Sequence, residues 1–192
     1  MLDRGMGHRE DLLAGAKKCL VEKGFAHTTA RDLVAASGTN LASIGYHFGS
    51  KDALLTEAMV ELVGEWGTTF AKAASEAGAA DGEARFRATW RALLKLFETD
   101  RPVLMASFEI ATQAVRSPEL RGIFASAWQD ARQGLPEDFV GDQGFDARTN
   151  RAVGGVLLAL ISGMTLQYLI DPEGAPSPAE LAAGLKAIAA AF

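Results

Sequence analysis

Apolar positions recur at intervals of three and four along almost the whole chain, and nowhere do they alternate as strand residues do. The spacing predicts a first helix over about 9–23, with Leu12, Leu13, Ala16, Cys19 and Leu20 inward and Gly24 ending it. Thr29 is followed three residues later by Asp32, the spacing of a capping box, then by the apolar Leu33, Val34 and Ala36 and a stop at Gly38. Asn40 is a good N-cap for a third helix, in which Ile44 and Phe48 lie four apart on the inner face. From Lys51 a longer stripe runs through Leu55, Met59, Leu62, Trp66 and Phe70 to about residue 77.

After a turn at 77–83, Phe86, Trp90, Leu93, Leu94 and Phe97 stripe a fifth helix, and Leu104, Phe108, Ala111 and Val115 a sixth. Ser117-Pro118 opens a seventh carrying Leu120, Phe124, Trp128, Ala131 and Leu135. Residues 135–146, rich in Pro, Gly and acid, are expected as a linker or mobile flap. Ala152–Ile170 has no charge and reads as a helix buried on all sides, although its length alone would admit a membrane span. Ser177-Pro178-Ala179-Glu180 caps a last helix with Leu181, Leu185, Ile188 and Phe192. The fold class is all-α, of about nine helices, with a break near residue 52 dividing 1–52 from 53–192.

The two short helices around Gly38 make a helix-turn-helix. Leu41, Ala42, Ser43, Gly45, Tyr46 and His47 fall mostly on the outer side of the second. A merely solvated face would carry Glu and Lys. Small side chains instead let a helix backbone approach bases in a major groove about 12 Å wide. Leu41 or Ala42 can touch a thymine methyl, and Asn40 or Ser43 can hydrogen-bond a base edge or a phosphate. Tyr46, His47 and Lys51 carry donors suited to phosphate oxygens. A short helical corner on the surface needs the same punctuation, so the pattern alone leaves that reading open.

The run from Arg9 to Leu55 resembles the N-terminal domain of the TetR family of bacterial regulators. The likeness rests on EKGF at Glu22–Phe25, TTARDLVAASG from Thr28, and YHFGSKDALL from Tyr46 to Leu55. It implies that Thr28 or Thr29, Tyr46, His47 and Lys51 meet phosphates, while Thr39, Asn40, Leu41, Ala42 and Ser43 approach bases. Gly45 departs from the pattern, standing where an aromatic is usual. It also implies a homodimer on an inverted-repeat operator, its last two long helices paired with their twins, and a repressor released by a small apolar ligand. A relative of the same fold without any inducer, controlled by a protein partner or organising DNA, is the alternative.

Composition narrows the rest. The net charge is −5, yet residues 1–52 carry seven Lys/Arg against six Asp/Glu and all three histidines, so the acid excess belongs to the remainder. Weak basicity at the DNA face predicts moderate affinity and reliance on dimerisation. The one cysteine, Cys19, reads as a small core residue. The polar, charged first eleven residues do not read as a signal peptide, and a cytoplasmic location is expected. No phosphate loop, nucleophile elbow or metal-spaced His/Cys/Asp set is present, so no enzyme, metal or cofactor is expected. Glu61 and Glu65 read as a solvated helix face.

The candidate effector lining is Trp66, Phe70, Phe86, Trp90, Phe97, Met105, Phe108, Phe124, Trp128, Met164 and Tyr168, each of which core packing also explains. Gly155, Ala159 and Gly163 form a small-residue ridge suited to a close helix crossing, within the chain or at a dimer interface. Leu181, Leu185 and Ile188 complete the candidate dimer surface. Residues 51–77 are the element expected to tilt when the effector binds.

Overall fold

The computed structural model describes residues 3–77 and 82–191, which form nine helices and, among them, no strand. In order they are α1 Asp3–Lys23, α2 Ala30–Ser37, α3 Leu41–Phe48, α4 Lys51–Glu76, α5 Gly82–Thr99, α6 Arg101–Arg116, α7 Pro118–Val140, α8 Ala147–Ile170 and α9 Pro178–Ala189. Most of the expected turn at 77–83, and Phe192 at the end of the last stripe, lie outside the described residues.

The helices group into two compact units, one of residues 1–67 with 102–116, the other of 68–101 with 117–192. This division differs from a single break near residue 52: the first half of α4 and nearly all of α6 pack with the N-terminal helices.

In the first unit, Leu12, Leu13, Ala16, Cys19 and Leu20 of α1 are buried as the stripe requires, together with Leu33 and Ile44. Phe48 is half-buried rather than enclosed, and the Arg9 guanidinium lies over its ring, 5.1 Å from the centroid. Burial pushes the Cys19 thiol up, which fits a packing role. At Gly15 a Cβ would stand 2.8 Å from the backbone nitrogen of Ser37, so α1 and α2 cross at the distance only glycine permits. Along the other side of α1, Arg9 pairs with Glu57, and Lys17 pairs with Glu61 at 2.8 Å and with Glu65. Glu61 and Glu65 are therefore partners of α1 and not a simply solvated face. Burial draws Lys17 down, but its hydrogen bonds to the two carboxylates outweigh that and leave it raised.

In the second unit, α5 packs on α7 and α9, and α7 on α8. Phe70, Phe86, Trp90 and Phe139 form one aromatic cluster, with Phe139 between 5.3 and 5.9 Å from the other three ring centroids. Phe139 falls in the stretch expected as a flap. The helix instead continues through Pro136 to Val140, leaving only Gly141–Asp146 as the link. A proline inside a helix costs about 3 kcal/mol. Burying Leu135 and Phe139 offsets it, at roughly 1.5–3 kcal/mol each.

Helix α8 is not buried on all sides. It meets α7 at Gly154, where a Cβ would lie 1.9 Å from the Arg132 carbonyl oxygen. The opposite face is open to solvent.

Candidate nucleic-acid interface and effector region

The geometry of α2 and α3 follows from two caps. The Thr29 hydroxyl accepts the Asp32 N–H, while Asp32 Oδ2 accepts the Thr29 N–H at 2.9 Å and its hydroxyl at 2.7 Å. Lys23, followed by Thr29's hydroxyl and N–H, holds the Asp32 carboxyl well below the usual carboxylate range. Gly38, at φ +67°, closes α2 in the left-handed conformation. Asn40 then caps α3 by accepting the Ser43 N–H at 3.1 Å. Two short helices are thus fixed at a tight corner, with Ile44 beneath and the other side of α3 free.

That free side is the one the periodicity picks out. Leu41 is 57% exposed and Tyr46 85%, with Asn40, Ala42 and Gly45 exposed between them and nothing within 4 Å of a Cβ placed at Gly45. His47 is half-buried, its ring 4.8 Å from that of Tyr46 and edge-on to it. Two expected contacts change. Thr28 is 1% exposed and its hydroxyl donates to the Gly24 carbonyl at 2.7 Å, so only Thr29 of the pair faces out. Ser43 is buried, because it follows Asn40 onto the inner side of the first turn. Thr39 is half-buried, its hydroxyl 2.8 Å from that of Ser37. Lys51 is also half-buried, donates to the Thr28 carbonyl at 3.1 Å and pairs with the Asp52 carboxylate at 3.2 Å. Arg9, expected as part of a loose basic arm with Arg4, is engaged by Glu57 and Phe48.

The eleven effector candidates divide between the two units. Trp66 (half-buried), Met105 (exposed) and Phe108 (half-buried) belong to the first. In the second, Phe70, Phe86, Trp90, Phe97 and Met164 are buried, Phe124 and Tyr168 half-buried, and Trp128 exposed. Their ring contacts include the cluster around Phe139, the pair Phe97–Tyr168 at 5.6 Å, and the pair Phe124–Trp128 at 6.3 Å. Phe139 was hidden from sequence reasoning by the neighbouring proline and acids. Beside this cluster the Trp90 indole N–H is buried and finds no acceptor among the described residues. Thr89 and Arg85 both donate to the Asp138 carbonyl, at 2.8 and 3.1 Å, and burial pushes the Asp138 carboxyl up. A cleft of about 250 Å³ opens at the α7–α8 link, but it is polar, lined by Gln133, Glu137, Asp142 and Asn150 among others, and by none of the eleven.

On α8 the solvent face carries Ala152, Val156, Ala159, Gly163, Leu166 and Ile170, with Ile170 76% exposed. Their spacing of four, three, four, three and four is a heptad seam. Ala159 and Gly163 of the small-residue ridge lie on it, while Gly155 is half-buried at its edge. The tight crossing within the chain uses Gly154 instead. On α9, Leu181 and Leu185 are half-buried and Ile188 is 58% exposed. Among the described residues α8 is the helix long and apolar enough to cross a membrane.

Residues 12–58 match the family model described as bacterial regulatory proteins, tetR family, and residues 81–191 match the tetracyclin repressor-like C-terminal domain. The chain belongs to the TetR family of bacterial regulators. It is 29% identical over 136 residues to the HTH-type transcriptional repressor AcnR of Corynebacterium efficiens, covering 70% of this chain and 63% of that repressor, less than two thirds of its length. It is 24% identical over 171 residues to HdnoR of Paenarthrobacter nicotinovorans, an HTH-type nicotine-responsive transcriptional repressor, covering 86% of this chain and 85% of that one. Among solved structures, SCO7518 of Streptomyces coelicolor A3(2), described as a transcriptional regulator, superposes with a TM-score of 0.72 at 27% identity, covering 95% and 96% of the two chains.

Proposed function

We propose that this chain is a homodimeric, operator-binding transcriptional repressor that a small, mostly apolar effector releases. The observation that carries the reading is the outer face of α3. It is slim, uncharged and free, with Leu41, Ala42, Gly45 and Tyr46 projecting from a helix capped at Asn40. Such a face suits a groove floor better than water. In this reading Thr39, Asn40, Leu41 and Ala42 approach bases, while Thr29, Tyr46, His47 and Lys51 serve phosphates. The two α3 helices enter major grooves about 34–36 Å apart, or a multiple of that, on an inverted repeat. Residues 1–52 read the DNA and 53–192 sense and dimerise.

The second copy is the natural cover for the α8 seam. A mixture of small (Ala152, Ala159, Gly163) and larger apolar residues (Val156, Leu166, Ile170) at heptad spacing suits a close, slightly coiled pairing with its twin. The effector side of the reading draws support from Trp90. A buried donor left unpaired costs about 1–3 kcal/mol, which a ligand carrying an acceptor against the Phe86–Trp90–Phe139 cluster would recover. HdnoR, a nicotine-responsive relative, is a precedent for an aromatic effector. The protein acts in the cytoplasm, and no catalytic step or cofactor belongs to this reading.

The test is selection of genomic fragments by the purified protein, followed by footprinting. An inverted repeat protected on one DNA face is the expected result. Equal retention of all duplexes at low ionic strength would count against sequence-specific repression.

A further inference from the structure

The turn between α1 and α2 is held by a side chain from far along the chain. Lys23 ends α1, and Gly24 turns the backbone at φ +79°. A helical residue followed by a left-handed one aims successive N–H groups at a common point, a concavity suited to an anion. The anion here is the Glu109 carboxylate. Its Oε2 accepts the Phe25 N–H and its Oε1 the Ala26 N–H, each at 2.9 Å. It sits so close that a Cβ at Gly24 would lie 3.1 Å from Oε2. Glu109 is on α6, inside the same compact unit as residues 1–67.

We propose that Glu109 is a latch through which α6 sets the position of the DNA-reading helices, closed in the form that binds DNA. The proposal rests on the operator-binding reading above and names how that site is regulated. The turn it grips leads within three residues to Thr29, the cap of α2, and α2 packs on α3. On α6, the effector candidates Met105 and Phe108 stand one turn before Glu109 and next to it. A turn or slide of α6 at those positions carries the carboxylate out of the concavity. Hydrogen bonds beyond about 3.5 Å cease to act, so a small displacement suffices to open it. The Phe25 and Ala26 N–H groups then lose the carboxylate that accepts them both.

Charge gives the proposal a distinctive sign. Removing a carboxylate beside a DNA-binding module should, by simple electrostatics, strengthen binding to a polyanion. The latch requires it to weaken. The experiment measures affinity of the full-length dimer for an operator duplex selected by the wild type, corrected for active fraction, together with hydrogen exchange at the Phe25 and Ala26 amides. Glu109→Ala removes both acceptors and should bind about tenfold more weakly with faster exchange at those amides. Glu109→Gln keeps one acceptor oxygen and should fall between. A folded Glu109→Ala dimer with wild-type or tighter affinity overturns the latch. Should Glu109→Ala not fold, the near-isosteric Glu109→Gln decides, and wild-type affinity there has the same force. A wild type that retains no duplex at all defeats the operator reading itself, a different and separable result.

Discussion

Thr28 and Thr29 are adjacent and chemically alike, yet one hydroxyl is spent inside the module and the other caps a helix at its surface. Which does which is decided by where α1 ends, and no local pattern carries that information. The outer residues of α3 were legible because one helical turn of spacing separates faces: Leu41, Ala42 and Tyr46 face out and Ile44 faces in. Ser43 was misplaced because it lies at the edge between them. Two residues offer tests. The Asp32 carboxyl is depressed in the folded chain, first by Lys23 and then by Thr29. Its contribution to stability is therefore present above the unfolded carboxylate range and lost as pH falls through the folded value. Asp32→Asn should be less stable than wild type near neutrality, with the gap closing in acid, as thermal melts across pH would show. Leu41→Ser should change base preference in a randomised-site selection while leaving the melting temperature within about 0.5 kcal/mol equivalent, as expected for an exposed position. An unchanged set of selected sites would mean that Leu41 reads nothing.

At the scale of elements, helix boundaries set by caps were readable and those overridden by packing were not. Asn40, Ser117 and Ser177 each begin a helix where the residue type says they should. Pro136 looks like a terminator, but Phe139 is needed to complete the ring cluster with Phe70, Phe86 and Trp90, so the helix carries on. Likewise the ridge spacing of Gly155, Ala159 and Gly163 predicted a close approach without saying against what, and within the chain nothing comes within 4 Å of a Cβ at Gly155 or Gly163. The approach within the chain falls one residue earlier. At Gly154 a methyl would meet the Arg132 carbonyl oxygen at 1.9 Å and its carbonyl carbon at 2.6 Å, and both are backbone atoms. Gly154→Ala should therefore force α7 and α8 apart and cost about 1–3 kcal/mol, the range for overpacking. Gly155→Ala, with nothing within 4 Å, should leave an isolated protomer as stable or slightly more so, since Ala is the better helix former. Urea denaturation of the two variants separates them; equal stabilities would mean that the α7–α8 crossing relaxes freely.

At the scale of the whole molecule, charge and assembly depend on each other. A chain of net charge −5 with only a slight positive excess in residues 1–52 cannot hold DNA by a broad basic surface. In the proposed reading one copy of α3 offers a few contacts, and a second, held at fixed spacing, would make binding to the other half-site effectively intramolecular. The α8 seam is where that spacing would be set, and it is apolar and uncharged from Ala152 to Ile170. Leu166 is the test position because it is 47% exposed in the single chain, so altering it leaves the protomer's own core intact. Leu166→Glu would place facing carboxylates near the two-fold axis of the dimer, where neither is solvated nor paired. The expected outcome is a folded monomer by sedimentation at micromolar concentration. Operator affinity should drop by two orders of magnitude or more, the scale of lost bivalency, while the weak binding of random duplex at low salt is kept. Persistence of the dimer at unchanged strength would move the interface off this seam and take the half-site spacing argument with it.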